Sequence, residues 1–215
     1  MIENVINESD YKAVIDAIQT LIHTTQSPII IGIAGHGAAG KTTLSHQLKA
    51  HFGEQTSIMH TDPYIISGMV RKQSVVSYEY DGQTYHAKVT ACHPEAHHTD
   101  LLKRDITMLR MGMDIATVQT HYQASAIIRA KQELIIIEGM SVAFLPQSLL
   151  DYSVYLYTNA ETEFARRSVR DISERGMSLS YLQETHADRR RQYDIYMHPY
   201  AENFTTVINT STVFT

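Results

Sequence analysis

The chain has 215 residues and a formal net charge of −5, with 43% hydrophobic and 19% charged residues. That length suits a single domain, residues 1–215, with a substantial core, and the acidic balance argues against a general nucleic-acid partner. Cys92 is the one cysteine, which excludes an internal disulfide and fits a reducing, cytoplasmic setting. The polar, acidic start does not read as a signal peptide, and the apolar runs are strand-sized, so no membrane partner is expected.

In chain order, Ser9 or Asp10 opens a helical pattern that runs to residue 24. Tyr11, Val14, Ile15, Ile18, Leu21 and Ile22 recur there at three- and four-residue steps. A β-branched run follows, Ile29-Ile30-Ile31 and Ile33, and feeds a glycine-rich turn and a second helical pattern. Gly35 to Thr42 satisfy G-x-x-x-x-G-K-[ST]. A buried strand brings the chain to a tight turn, whose glycines let backbone N–H groups wrap a phosphate. The next helix aims its positive end at the same anion. The loop residues Gly35, His36, Gly37, Ala38, Ala39, Gly40, Lys41, Thr42 and Thr43 are therefore expected to bind nucleotide. Lys41 would reach the terminal phosphates, and the Thr42 hydroxyl would hold Mg²⁺.

Thr56 to His60 reads as a strand that delivers Asp62, Pro63 and Tyr64. Ligands of open α/β sheets gather beyond the carboxyl ends of strands, so Asp62 is a candidate base or metal-binding group rather than a plain turn residue. Residues 65–91 look like a β excursion turning at Asp81-Gly82, either a flap over a substrate or a structural addition. The Cys92, His93, His97 and His98 cluster lacks zinc spacing, so no metal site is expected there. Residues 99–111 read as a helix capped by Thr99 or Asp100, and 115–122 as a strand. Leu134 to Ile137 form a fully apolar run expected of a central parallel strand. It ends in Glu138, an acid that is costly there without a partner and a candidate Mg²⁺ ligand. After a strand at 153–157, a helix from Asn159 carries Arg166, Arg167, Arg170 and Arg175. Two readings stay open for it: a phosphoryl clamp or a solvated helix with surface pairs. A further helix at 179–197 carries Arg189-Arg190-Arg191, which read as a wet face, and 205–209 reads as the last strand.

Together these segments resemble the uridine kinase family, within the group that includes phosphoribulokinase. The strongest match is RRSVRDISERG, residues 166–176, which is similar to that family's lid helix. Gly35 to Thr43, Asp62-Pro63-Tyr64, His93-Pro94-Glu95-Ala96 and Glu138-Gly139 resemble its other motifs, in order. The resemblance implies an α/β, three-layer P-loop NTPase fold with a mainly parallel five-stranded sheet. A small β-hairpin over the acceptor (65–91) and a helical arginine lid (166–180) would be added to it. It implies ATP and Mg²⁺ as cofactors, Asp62 as base, and Lys41, Arg167 and Arg170 as catalytic groups. Arg175 would contact the nucleotide, and Thr42 and Glu138 the metal. Asp62, Tyr64, Cys92, His93, Tyr122, Glu138 and Arg167 would line the acceptor site.

The acceptor half departs from that pattern. Cys92 stands where the family has an aspartate for ribose hydroxyls, and only Tyr122 is left as a counterpart of the pyrimidine-contacting segment. The expected activity is transfer of the γ-phosphoryl group of ATP to a small-molecule hydroxyl, with uridine or cytidine as the first acceptor. Another riboside, a pantothenate-like compound or a sugar stays open, as do a homo-oligomer and a non-catalytic nucleotide-binding regulator.

Overall fold

The computed structural model describes residues 6–25 and 28–212, apart from the side chains of Glu174 and Arg175. In chain order the elements are helix α1 (Glu8–Thr24), strand β1 (Ile29–Gly35), α2 (Lys41–Phe52), β2 (Thr56–His60), α3 (Gly68–Arg71), β3 (Val75–Tyr80) and β4 (Gln83–Lys88). They continue with α4 (Thr99–Arg110), β5 (Ile115–Ala116), β6 (Ile127–Ile128), β7 (Leu134–Glu138), β8 (Tyr152–Tyr157), α5 (Ala160–Arg175), α6 (Leu179–Tyr196) and β9 (Thr206–Asn209). No helix among the described residues is long and apolar enough to cross a membrane.

A five-stranded sheet in the order β2-β7-β1-β8-β9 organises the chain, and all its pairings are parallel. Its central strands are apolar throughout because both faces are covered, and successive side chains serve opposite faces. Ile29, Ile31 and Ile33 of β1 pack with Leu134 and Ile136 of β7 under Val14, Ile15 and Ile18 of α1 and Leu44 and Leu48 of α2. Ile30 and Ala34 turn the other way, with Ile135 and Ile137, against Leu102, Ile106 and Leu109 of α4 and Tyr193 of α6. Each such aliphatic side chain, fully buried, contributes about 1.5–3 kcal/mol. This is the expected three-layer α/β architecture.

The register sets the functional edge. Ile33 of β1 and His60 of β2 both lie opposite Glu138 of β7, so the three strands end at one level. The antiparallel pair β3–β4 forms a hairpin closed by Asp81-Gly82, both at positive φ (49° and 73°), the geometry that a two-residue hairpin turn demands. Three local expectations change. Neither Thr99 nor Asp100 caps α4, whose N-cap is His98 with no side-chain hydrogen bond. Asn7, not Ser9 or Asp10, caps α1 by accepting from the Asp10 N–H. The strand expected at 115–122 is confined to Ile115–Ala116, paired with β6, because Thr117 and Thr120 turn their hydroxyls to the backbone of 123–126.

Candidate phosphotransfer site

The β1–α2 loop is held from three sides. A Cβ at Gly35 would stand 2.1 Å from the Leu156 carbonyl oxygen, so only glycine lets β1 and β8 close at this point. His36 is fully buried, its Nδ1 2.9 Å from the Gly37 carbonyl and its Nε2 accepting from the Thr158 N–H at 2.9 Å. The ring therefore carries its proton on Nδ1. Burial lowers its pKa to about 4, helped by the nearby Lys41 charge and opposed by Glu163. Thr210 donates to the Ala39 carbonyl at 3.0 Å, and Arg166 reaches the Ala38 carbonyl at 3.4 Å. Gly40 begins α2 without any side-chain cap, which leaves the helix start available to an anion. Lys41 arches back so that Nζ donates to the His36 carbonyl at 2.8 Å. Burial lowers its pKa, while Glu138 and Asp62 pull the other way.

Across the loop, Glu138 is 5% exposed and takes two contacts on Oε1, from Thr42 Oγ1 at 3.2 Å and from His60 Nδ1 at 2.5 Å. Burial alone would raise its pKa, but the His60 hydrogen bond and the Lys41 charge hold it below its ordinary value. The same hydrogen bond raises His60, against partial burial. Gly139 follows at φ +145°, and a Cβ there would fall 2.0 Å from Thr61 Oγ1. The Glu138-Gly139 pair thus lets β7 end tight against the β2 exit. Asp62 opens the short turn Asp62–Tyr64 at that exit, exposed and close enough to Lys41 for its charge to act there. Paired Thr42 and Glu138 oxygens suit a hard divalent cation, which needs few protein ligands when phosphates supply the rest. No group of three or more histidine, cysteine or acidic ligands occurs among the described residues.

The arginine helix α5 packs over the loop. Arg167 is 4% exposed and bonded to Glu163 (3.7 Å) and Asp171 (3.3 Å) of its own helix, and its stem lies beside Gly37. Arg170 pairs with Asp171 at 2.8 Å and lowers the Lys41 pKa from across the cleft. The Arg175 side chain lies outside the described residues. On α6 the arginine run is not a wet face. Arg190 lies over the Tyr193 ring, donates to the Thr158 carbonyl at 2.9 Å and pairs with Glu163 and Asp194. Arg191 stacks on Tyr85 of β4 at 4.1 Å. The run covers tertiary neighbours that spacing along one helix does not reveal.

The acceptor-side residues divide. Tyr122 is exposed and its hydroxyl donates to the Asp62 carbonyl at 3.0 Å, so it joins Asp62. His93 is half-buried against Tyr196, and its Nδ1 accepts from the Glu95 N–H to cap a short turn. Tyr64 and Cys92 correct the expectation. Tyr64 is fully buried with its hydroxyl bonded to Asp105 of α4, and Cys92 is 1% exposed within the apolar core. Burial pushes the Cys92 thiol up to about 11. Both side chains are thus out of reach of solvent. His60, Glu163 and Arg190 escaped the sequence reading. His60 had a signal, since it ends β2 at the level where Glu138 ends β7.

A glycine-rich loop opening a helix, an acid ending a neighbouring strand and an arginine helix over both define a P-loop kinase. The chain belongs to the Phosphoribulokinase / Uridine kinase family, which it matches over residues 30–213. Membership of that family implies ATP binding. A uridine kinase from Lactobacillus helveticus is 31% identical over 72% of each chain. The chloroplastic phosphoribulokinase of Arabidopsis thaliana is 28% identical over 90% of this chain and 53% of its own length. The solved D-glycerate 3-kinase of Cryptococcus neoformans var. grubii is 10% identical, covers 94% of this chain and 95% of its own, and superposes with a TM-score of 0.59, a likeness of fold.

Proposed function

We propose that the chain transfers the γ-phosphoryl group of ATP to a hydroxyl of a small molecule. The observation that carries this reading is the convergence of Lys41, Thr42, Glu138 and Asp62 on one edge of the sheet. Bound MgATP would supply the transferable phosphoryl group. The loop and Lys41 would hold its phosphates, and the Thr42 and Glu138 oxygens its metal. Asp62, open to the cleft, would take the proton of the acceptor hydroxyl, and Tyr122 would fix the Asp62 backbone. Arg167 and Arg170 would offset charge on the transferring group. Uridine, named for the Lactobacillus relative, is the first acceptor to test, and glycerate, named for the structural relative, is another.

The test is Asp62→Asn. Nucleotide binding should persist while acceptor-dependent ADP release falls at least about a hundredfold. Undiminished turnover in that variant would remove Asp62 as the base.

A further inference from the structure

The end of β2 carries a side chain to which the phosphotransfer reading gives no role. His60 stands opposite Glu138 in the β2–β7 register, and its Nδ1 lies 2.5 Å from Glu138 Oε1. So short a contact with a carboxylate places the donated proton on Nδ1. Thr42 donates to the same oxygen at 3.2 Å. Neither bond uses Oε2. The backbone pins the same pair of strand ends. The Thr61 N–H donates to the Glu138 carbonyl at 2.9 Å, and Gly139 leaves no room for a Cβ beside Thr61.

The His60 ring also meets α2. The ring of His46 approaches it edge-on, with centroids 6.3 Å apart and planes at 79°. Thr42 and His46 are four residues apart on α2 and share a helix face. The helix that follows the phosphate loop therefore touches both Glu138 and the histidine bonded to it. The two bonded partners differ in burial. The His60 side chain is 36% exposed, so water could satisfy it, whereas Glu138 is buried and depends on donors from the protein. A glutamate has three side-chain torsions to fix, and two donors held on β2 and α2 select one orientation of its carboxylate.

We propose that His60 is a positioning residue for the cation of bound MgATP: its Nδ1–H, together with the Thr42 hydroxyl, fixes Glu138 by Oε1 and leaves Oε2 to the cation or its water shell. This rests on reading Thr42 and Glu138 as the metal seat. His60 acts through the carboxylate and not as a ligand. Outer partners that hydrogen-bond a metal-binding group in this way are worth about tenfold to a hundredfold in metal affinity.

The test uses the full chain as wild type, His60→Asn, His60→Gln and Glu138→Gln. Each is titrated in a calorimeter with a non-hydrolysable ATP analogue, once in Mg²⁺ and once in EDTA. The quantity read is the ratio of the two Kd values, which is the affinity gained from the metal. An asparagine amide N–H stands where histidine Nδ1 stands, and a glutamine amide where Nε2 stands. His60→Asn should therefore stay within about threefold of the wild-type ratio, while His60→Gln lowers it by about tenfold or more. The metal-free Kd should be unchanged in both. Glu138→Gln should lower the ratio at least as far as His60→Gln. A wild-type ratio in His60→Gln, with the ratio lowered in Glu138→Gln, would overturn the proposal. So would equal losses in His60→Asn and His60→Gln, or a loss of affinity that is the same with and without Mg²⁺, because each marks packing of the side chain and not the Nδ1–H bond. If Glu138→Gln itself keeps the wild-type ratio, the metal seat on which the proposal rests fails instead.

Discussion

His36 ties the phosphate loop to the end of β8, and His36→Phe isolates that tie. Phenylalanine keeps an aromatic ring, somewhat larger than imidazole, against Tyr193, whose centroid is 4.6 Å away. It removes both ring nitrogens, leaving the Thr158 N–H and the Gly37 carbonyl without their partner. Thr158 is fully buried, so its donor cannot turn to water. An unpaired buried N–H costs about 1–3 kcal/mol and the lost carbonyl bond about 1 kcal/mol, which puts the variant about 2–4 kcal/mol below wild type at neutral pH. The pH dependence supplies a second readout. The His36 pKa falls from 6.5 when unfolded to about 4 when folded, because burial excludes the charged ring. Between those values the unfolded chain binds the extra proton. The contribution is therefore fully present above pH 6.5 and declines as pH falls toward 4, by about 3 kcal/mol in all. His97, also lowered to about 4 by burial, adds the same slope to both proteins and cancels in the comparison. Urea unfolding near neutral pH and at acid pH should show the gap between wild type and His36→Phe narrowing as pH drops. A gap independent of pH, or below about 0.5 kcal/mol throughout, would refute the assignment of the two hydrogen bonds and the buried neutral ring.

Other predictions follow from the same edge of the sheet. Glu138→Gln removes the hydrogen-bonded charge that raises His60, so the His60 titration followed by NMR should move down toward its ordinary value. The same substitution should weaken Mg²⁺-dependent nucleotide binding, measured by calorimetry with and without the metal. Gly139→Ala forces a Cβ to 2.0 Å from Thr61 Oγ1 at a φ of +145°, and should cost about 3 kcal/mol in thermal or denaturant unfolding. An alanine variant as stable as wild type would show that β2 and β7 do not close as described.

Much of the donor half was legible because its signals are local. Lys41 and Thr42 follow their glycines within one turn, and the apolar runs of β1 and β7 carry the mark of strands buried on both faces. The Asp81-Gly82 turn needs positive φ at adjacent positions, which those two residues supply cheaply. The acceptor half was less legible because its signals are long-range. Tyr64 looks like a site residue beside Asp62, yet the turn that exposes Asp62 rotates Tyr64 inward to Asp105, 41 residues away. Cys92 sits in a polar string of letters but lies beneath the surface in the apolar core. Arg189, Arg190 and Arg191 read as a solvated run along one helix. Their neighbours come from β4, the turn after β8 and α5, and no spacing on α6 announces them.

The sequence by itself determined which segments are buried strands, where the phosphate loop opens a helix, and that acids stand at the strand ends beside it. These follow from periodicity, glycine placement and the cost of an acid after an apolar run. Only the tertiary structure decided that Glu138 and His60 share a proton-bearing contact and that His36 clamps the loop from inside. Each of those facts depends on strand register and on helices crossing over the sheet, and therefore on distances between residues far apart in the chain.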